Sequence, residues 1–124
     1  MYPSLRFNKV SIIGTGLLGG SLARELKDKG LAETVVGVCR TQATAQAALE
    51  SGIVDQVQAL KEACQGADLI VLATPMQAMP PILQEIESWV GEQTIVTDVG
   101  SVKTDLYDEI KRSAPSLLNR FVLA

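Results

Sequence analysis

With 124 residues the chain has room for one domain with a packed core but not comfortably for two. At 47% hydrophobic residues it is not a disordered segment. A net charge of −3 argues against nucleic acid or an anionic membrane as its main partner, and no apolar run approaches the length of a signal-peptide core or a membrane span. Cys39 and Cys64 are isolated thiols without metal-ligand spacing, as expected of a reduced, cytoplasmic protein, and no metal site is expected. The chain contains no histidine.

In chain order, Val10–Ile13 is a short run rich in β-branched residues, suited to a strand buried on both faces. It leads into G-x-G-x-x-G at Gly14, Gly16 and Gly19, after which Leu18, Leu22 and Leu26 recur four apart on a helix from about Leu17 to Lys29, closed by Gly30. Thr34–Cys39 reads as a second strand. The alanine-rich segment Gln42–Glu50 reads as a helix whose buried stripe is Ala45, Ala48 and Leu49. A short third strand is expected within Ile53–Val57 and one or two helical turns within Leu60–Gln65. Asp68–Ala73 is the fourth strand, ended by Thr74-Pro75. Pro80 and Pro81 suit a helix start, with Ile82, Ile86, Trp89 and Val90 on one face up to Gly91. Thr94–Asp98 is the fifth strand; Val102, Leu106 and Ile110 mark a helix closed before Pro115; Arg120–Ala124 reads as a sixth strand. Alternating strands and helices predict an α/β domain, a doubly wound parallel sheet in the order 3-2-1-4-5-6.

Ligands of such sheets sit outside the carboxyl ends of the strands. Four stretches fall there: Gly14–Gly19, Cys39–Thr41, Ala73–Met76 and Asp98–Lys103. Strand, glycine turn and helix together form the context of a dinucleotide-binding fingerprint. Gly14 permits the tight turn, Gly16 lets the backbone approach a pyrophosphate, and Gly19 lets the helix lie close to the strand, with the phosphates at its electropositive N-terminus. Thr15, Leu17 and Leu18 complete the loop.

The end of the second strand separates two cofactors. A carboxylate about twenty residues beyond the loop holds a ribose 2′-hydroxyl, whereas arginine accommodates a 2′-phosphate. This chain has Cys39 and then Arg40, with a further hydroxyl on Thr41, so NADP is favoured and NAD is possible. Arg40 is also placed to stack on the adenine or to stay in solvent. Asp98, Ser101 and Lys103 gather at the last pocket-side turn. Ser101 is equally a good helix N-cap. Lys103 opposes the helix dipole by about 0.3–1 kcal/mol, which Asp98, Asp105 or a bound anion must offset.

Gly14-Thr15-Gly16-Leu17-Leu18-Gly19-Gly20-Ser21-Leu22-Ala23 resembles the opening of the prephenate and arogenate dehydrogenases of tyrosine biosynthesis. Asp68-Leu69-Ile70-Val71-Leu72-Ala73-Thr74-Pro75 looks like their fourth strand, and Thr97-Asp98-Val99-Gly100-Ser101-Val102-Lys103 looks like their D-x-x-S-V-K segment. The likeness runs from Lys9 to Ala124 and covers only the family's N-terminal nucleotide-binding domain. It implies that hydride passes to the nicotinamide while the substrate's ring carboxylate departs as CO₂. It also implies that Ser101 is catalytic, lying beside nicotinamide and substrate, and that Thr74-Pro75 lines the nicotinamide side; Ala73, just before them, is counted with the cofactor-binding residues. The family's last strand is followed by a His-Pro segment that polarises the substrate, then by a helical domain that binds it. Neither is in these 124 residues.

The polypeptide as given is therefore expected to bind the dinucleotide without oxidising prephenate or arogenate. Its last strand would offer an uncovered apolar edge for weak homo-oligomerisation. Two other readings stand beside this one. One is another small reductase with the same loop, such as a 3-hydroxyacid dehydrogenase, against which the segment Asp98–Lys103 speaks. The other is a stand-alone nucleotide-sensing module, in which an acidic residue would be expected where Cys39 stands.

Overall fold

Phe7–Ile13 forms strand β1, longer than the apolar run by three residues, and every later element is built outward from it. The computed structural model describes residues 7–14, 17–99 and 103–122, with the backbone alone at 17, 18, 103 and 104. After β1 come α1 (Leu17–Asp28), β2 (Ala32–Val38), α2 (Gln42–Glu50), β3 (Gln56–Val57) and α3 (Leu60–Cys64). They are followed by β4 (Leu69–Leu72), α4 (Met79–Glu87), β5 (Ile95–Asp98) and α5 (Lys103–Ser113). Short 3₁₀ segments at Met76–Ala78 and Pro115–Arg120 precede α4 and follow α5.

The five strands lie in the order β3-β2-β1-β4-β5, and every pairing is parallel. Val10 is in register with Val35 on one side and Leu69 on the other, so β1 is central. Its side chains alternate between two cores. Val10 and Ile12 join Val35 and Val71 under Ala23 and Leu26 of α1 and Ala48 of α2. Ile13 joins Ile70, Leu72 and Val96 under Met79, Leu83 and Ile86 of α4 and Leu106 and Ile110 of α5. Ser11 points to the second face, where its buried hydroxyl donates to the Ala63 carbonyl at 2.5 Å and so ties α3 to the sheet.

Helix limits follow local chemistry. α1 stops before Gly30, which takes φ +65°, a conformation that side-chain-bearing residues avoid. α4 begins with prolines at its second and third residues, where a missing N–H costs nothing. Its turns bury Met79, Leu83 and Ile86, while Trp89 and Val90 lie beyond the helix and pack at the margin of the core.

Three expectations are corrected. The third strand is only Gln56–Val57, because Asp55 does a different job: its carboxylate accepts the Val35 N–H at 2.8 Å and Lys27 Nζ at 2.5 Å. Partial burial pushes the Asp55 carboxyl up, but the Lys27 hydrogen bond, the Val35 N–H and the Lys27 charge outweigh it and hold it below its ordinary value. Leu49 is 41% exposed rather than buried; α2 contributes only Ala48 to the core. In place of a sixth strand, the described residues show one parallel bridge from Val96 to Phe121, with Val122 N–H donating to the Val96 carbonyl at 2.8 Å. It occupies the free edge of β5, the sixth position, and residues 123–124 lie outside the described chain. Among the described residues, no helix is long and apolar enough to cross a membrane.

Candidate functional site

At the end of β1 the chain turns on Gly14, whose φ of +89° favours glycine. Its N–H donates to the Val38 carbonyl at 2.9 Å, so the ends of β1 and β2 are held together at the turn. A Cβ at Gly14 would stand 2.8 Å from Thr74 Cγ2 and 3.1 Å from the Ala73 carbonyl oxygen. Gly19, in the first turns of α1, is tighter still. A Cβ there would run into the Gly14 carbonyl oxygen and lie 3.1 Å from the Ala73 Cβ and 3.3 Å from Ile12 Cγ2. The start of α1 therefore lies directly against the Gly14 carbonyl and the Ala73 and Ile12 side chains, because Gly19 brings no side chain of its own. That is the cradle which a phosphate group at a helix N-terminus requires.

Beside this cradle, where the strand order reverses between β1 and β4, lies a cavity of about 380 Å³. Gly14, Cys39, Arg40, Thr74 and Pro75, all expected at the site, line it together with Ile13 and Val38. Its far wall is Leu60, Ala78, Pro81 and Ile82. Arg40 is the one charged residue among the described lining, and it is exposed at the mouth. The Thr74 hydroxyl faces Met79 Sδ at 3.8 Å.

Other expected residues are placed differently. The Thr41 hydroxyl accepts the Thr44 N–H at 3.1 Å as the N-cap of α2, so it serves the helix and does not line the cavity. Ala73 packs into the core under α1 and α2, where it sets the approach of Gly19. Asp98 is buried at the end of β5, in register with Leu72, and does not line this cavity. Thr15, Gly16 and Ser101 lie outside the described residues, as do the side chains of Leu17, Leu18 and Lys103.

Sequence reasoning missed Leu60, Ala78, Pro81 and Ile82 as cavity residues. The Pro80-Pro81 pair signalled a helix start, but nothing local says which way that start faces.

A second, wider hollow of about 510 Å³ opens between Met76–Pro80 and α5. It presents Asp105, Asp108 and Glu109 against one cation, Arg112, which pairs with Glu109 at 2.6 Å. Three carboxylates would repel a pyrophosphate, so the first cavity is the one fitted to an anionic nucleotide. The Cys64 thiol adds no nucleophile to the case. Burial pushes the Cys64 thiol up to about 11 against a smaller downward pull from Lys9, and it faces the interior, away from the cavity.

Comparison with known proteins places these features in context. The family model described as prephenate dehydrogenase, nucleotide-binding domain, matches residues 22–124. The prephenate dehydrogenase of Bacillus subtilis (strain 168) is 29% identical over 113 residues, which are 86% of this chain and 29% of that protein. The crystal structure of prephenate dehydrogenase from A. aeolicus, in complex with hydroxyphenyl propionate and NAD+, superposes with a TM-score of 0.83 at 28% identity. That match covers 98% of this chain and 42% of the other. Synechocystis arogenate dehydrogenase gives 0.76 at 36% identity, covering 86% of this chain and 37% of the other. The chain thus spans less than half the length of each of these relatives.

Proposed function

Since the chain belongs to the prephenate dehydrogenase family as its nucleotide-binding domain, we propose that it binds a nicotinamide dinucleotide across the carboxyl ends of β1, β2 and β4, with NADP preferred to NAD. The observation that carries the preference is Arg40, the one charged group among the described lining, at a mouth that presents no carboxylate to repel a 2′-phosphate. Gly14 supplies the tight turn and Gly19 the close approach of α1 to the strand ends, while Gly16 is assigned the approach to the pyrophosphate from the motif. Cys39 closes the ribose side without adding charge, and Thr74 and Pro75 wall the nicotinamide side. Thr41 supports the site indirectly, by capping the helix that follows Arg40. Calorimetric titration with both cofactors tests the reading: equal affinities would remove the preference, and absence of binding would remove the site.

The whole protein's proposed reaction is the oxidative decarboxylation of prephenate or arogenate. The bound nicotinamide accepts the hydride as the ring carboxylate leaves as CO₂. Ser101 is the proposed catalytic residue beside the reacting atoms, with Asp98 and Lys103 at the same turn as part of the cofactor-binding set. A positioned acid–base group contributes about 10²–10⁴ in rate. These 124 residues hold no histidine to provide one, so binding without turnover is the expected behaviour of the chain by itself. NADPH absorbance with saturating prephenate or arogenate checks this, and clear turnover would refute it. A reduced cytoplasmic setting suits the two thiols, and the short bridged segment beside β5, where Val122 is 55% exposed, suits weak self-association.

A further inference from the structure

Helix α3 is too short to hold its own place. Isolated helices below about 12 residues are marginal in water, and α3 has 5, with no side-chain hydrogen bond at its N-cap, Ala59. Its first residue, Leu60, nevertheless lines the cavity, so the site depends on where α3 sits. The carbonyls at its end show what holds it, since at a helix C-terminus these groups lack intrahelical partners. The Lys61 carbonyl accepts the Gln65 N–H at 3.2 Å, and the Cys64 carbonyl accepts the Ala67 N–H at 3.3 Å. The three others are taken by side chains of β1. The Ser11 hydroxyl donates to the Ala63 carbonyl at 2.5 Å, and Lys9 Nζ donates to the Glu62 and Gln65 carbonyls, both at 2.8 Å. Every carbonyl from Lys61 to Gln65 is thereby satisfied, and the Lys9 ammonium meets the negative end of the helix.

Ser11 is fully buried in the central strand, in register with Val36 and Ile70. A hydroxyl there costs free energy unless it is hydrogen-bonded, whereas an aliphatic β-branched side chain would simply pack. Lys9, Ser11 and Ile13 alternate onto one face of β1. Ile13 lines the cavity together with Leu60, and Gly14, which makes the turn, follows it directly. One strand therefore carries the turn, one part of the cavity wall and the anchors of another. Resting on the cofactor reading above, we propose that Lys9 and Ser11 are positioning residues of the dinucleotide site, which lie outside the cavity and fix its width by pinning α3, and with it Leu60, to the strand that bears Gly14. The fraction of molecules with α3 pinned then scales the apparent affinity, because a ligand binds more weakly in proportion as its competent state is depopulated.

The experiment pairs calorimetric titration of NADP and NAD with hydrogen exchange at the Ala63 and Gln65 amides, which bond to the Ala59 and Lys61 carbonyls. In the double variant Lys9→Met, Ser11→Ala, exchange at these two amides speeds by more than about tenfold while the amides of β4 keep their protection. Both cofactors bind about tenfold more weakly, in equal proportion, because Arg40, which distinguishes them, lies beyond β2 and not on α3. A merely structural role would lower the melting temperature and leave affinity unchanged wherever the protein is folded. Lys9→Arg, which keeps the charge and the donors, retains affinity and protection within about twofold of the wild type. Should circular dichroism show the double variant unfolded, Lys9→Met alone decides, because Lys9 is partly exposed and its loss leaves the core intact. The same two changes are then expected at about threefold. Protected α3 amides in the folded variant, or unchanged affinity once their protection is lost, overturns the assignment and leaves dinucleotide binding intact. A wild type that binds neither cofactor overturns the cofactor reading, and the positioning role with it.

Discussion

On the face covered by α3, α4 and α5, the enclosed side chains are large: Met79, Leu83, Ile86, Leu106, Ile110 and Leu117 are all essentially inaccessible. Under α1 and α2 the same sheet is closed mainly by Ala23, Ala32, Ala48 and valines, with Ile12 and Leu26 the larger members, and Gly19 stands where α1 meets the strand ends. The α1/α2 face also carries a polar clamp, Lys27–Asp55–Val35, among partly exposed groups. The difference follows from what each face must do. A helix whose N-terminus serves a phosphate has to approach the strand closely, and close approach requires small residues. Small residues bury little area, so the opposite face supplies most of the hydrophobic stabilisation.

Truncating the large face should have the largest effect. Leu83→Ala leaves a cavity among fully buried neighbours and is expected to cost about 2–5 kcal/mol, read from the denaturant midpoint. A cost near that of a surface change would mean that the two faces share the load equally.

Arg40→Ala should sharpen the functional side of the contrast. Loss of charge-assisted bonds to a 2′-phosphate weakens NADP binding by about 1.5–3 kcal/mol. NAD affinity and thermal stability stay unchanged, because Arg40 is exposed and belongs to neither hydrophobic core. An equal loss for both cofactors would assign Arg40 to base stacking instead.

Gly19→Ala tests the close approach itself. Its methyl group would meet the Gly14 carbonyl and the Ala73 Cβ, so α1 must shift outward at about 1–3 kcal/mol. Dinucleotide affinity should fall with stability, since the cradle opens. Retained affinity at wild-type stability would show that α1 has room to spare.

The smallest effect belongs to the clamp. Asp55 is held below its ordinary carboxyl value of 3.8, so its contribution is present above that pH and is lost as pH falls through the lowered value. The Lys27 and Asp55 side chains are 33% and 35% exposed, and solvent screening keeps the term below about 1 kcal/mol. Asp55→Asn should flatten the acid limb of a melting-temperature profile below about pH 4 while leaving the neutral plateau slightly lower. An unchanged acid limb would show that the clamp carries no net stability.

The sequence by itself determined the elements whose signal is local. A β-branched run ending on Gly14 makes a central strand, Gln42–Glu50 is a helix over the expected span, and Gly30 stops α1 because of its φ. The parallel order followed from the alternation of strands and helices, together with the glycine turn on the first strand. At the site, Gly14, Cys39, Arg40, Thr74 and Pro75 were legible because strand ends converge by topology, whatever the side chains do.

What the tertiary structure decided depends on distant partners. Leu49 is exposed because α2 sits toward the β2–β3 side of the sheet and presents only Ala48 to the core, which helical periodicity cannot reveal. Thr41 was turned to capping by Thr44, and Asp55 to pinning β2 by Lys27 and Val35, choices made by neighbours three to 28 residues away. The far wall of the cavity joins Leu60 to Ala78, Pro81 and Ile82 across β4. Periodicity describes each element's own faces, but a wall made of two elements exists only once packing has fixed their relative positions.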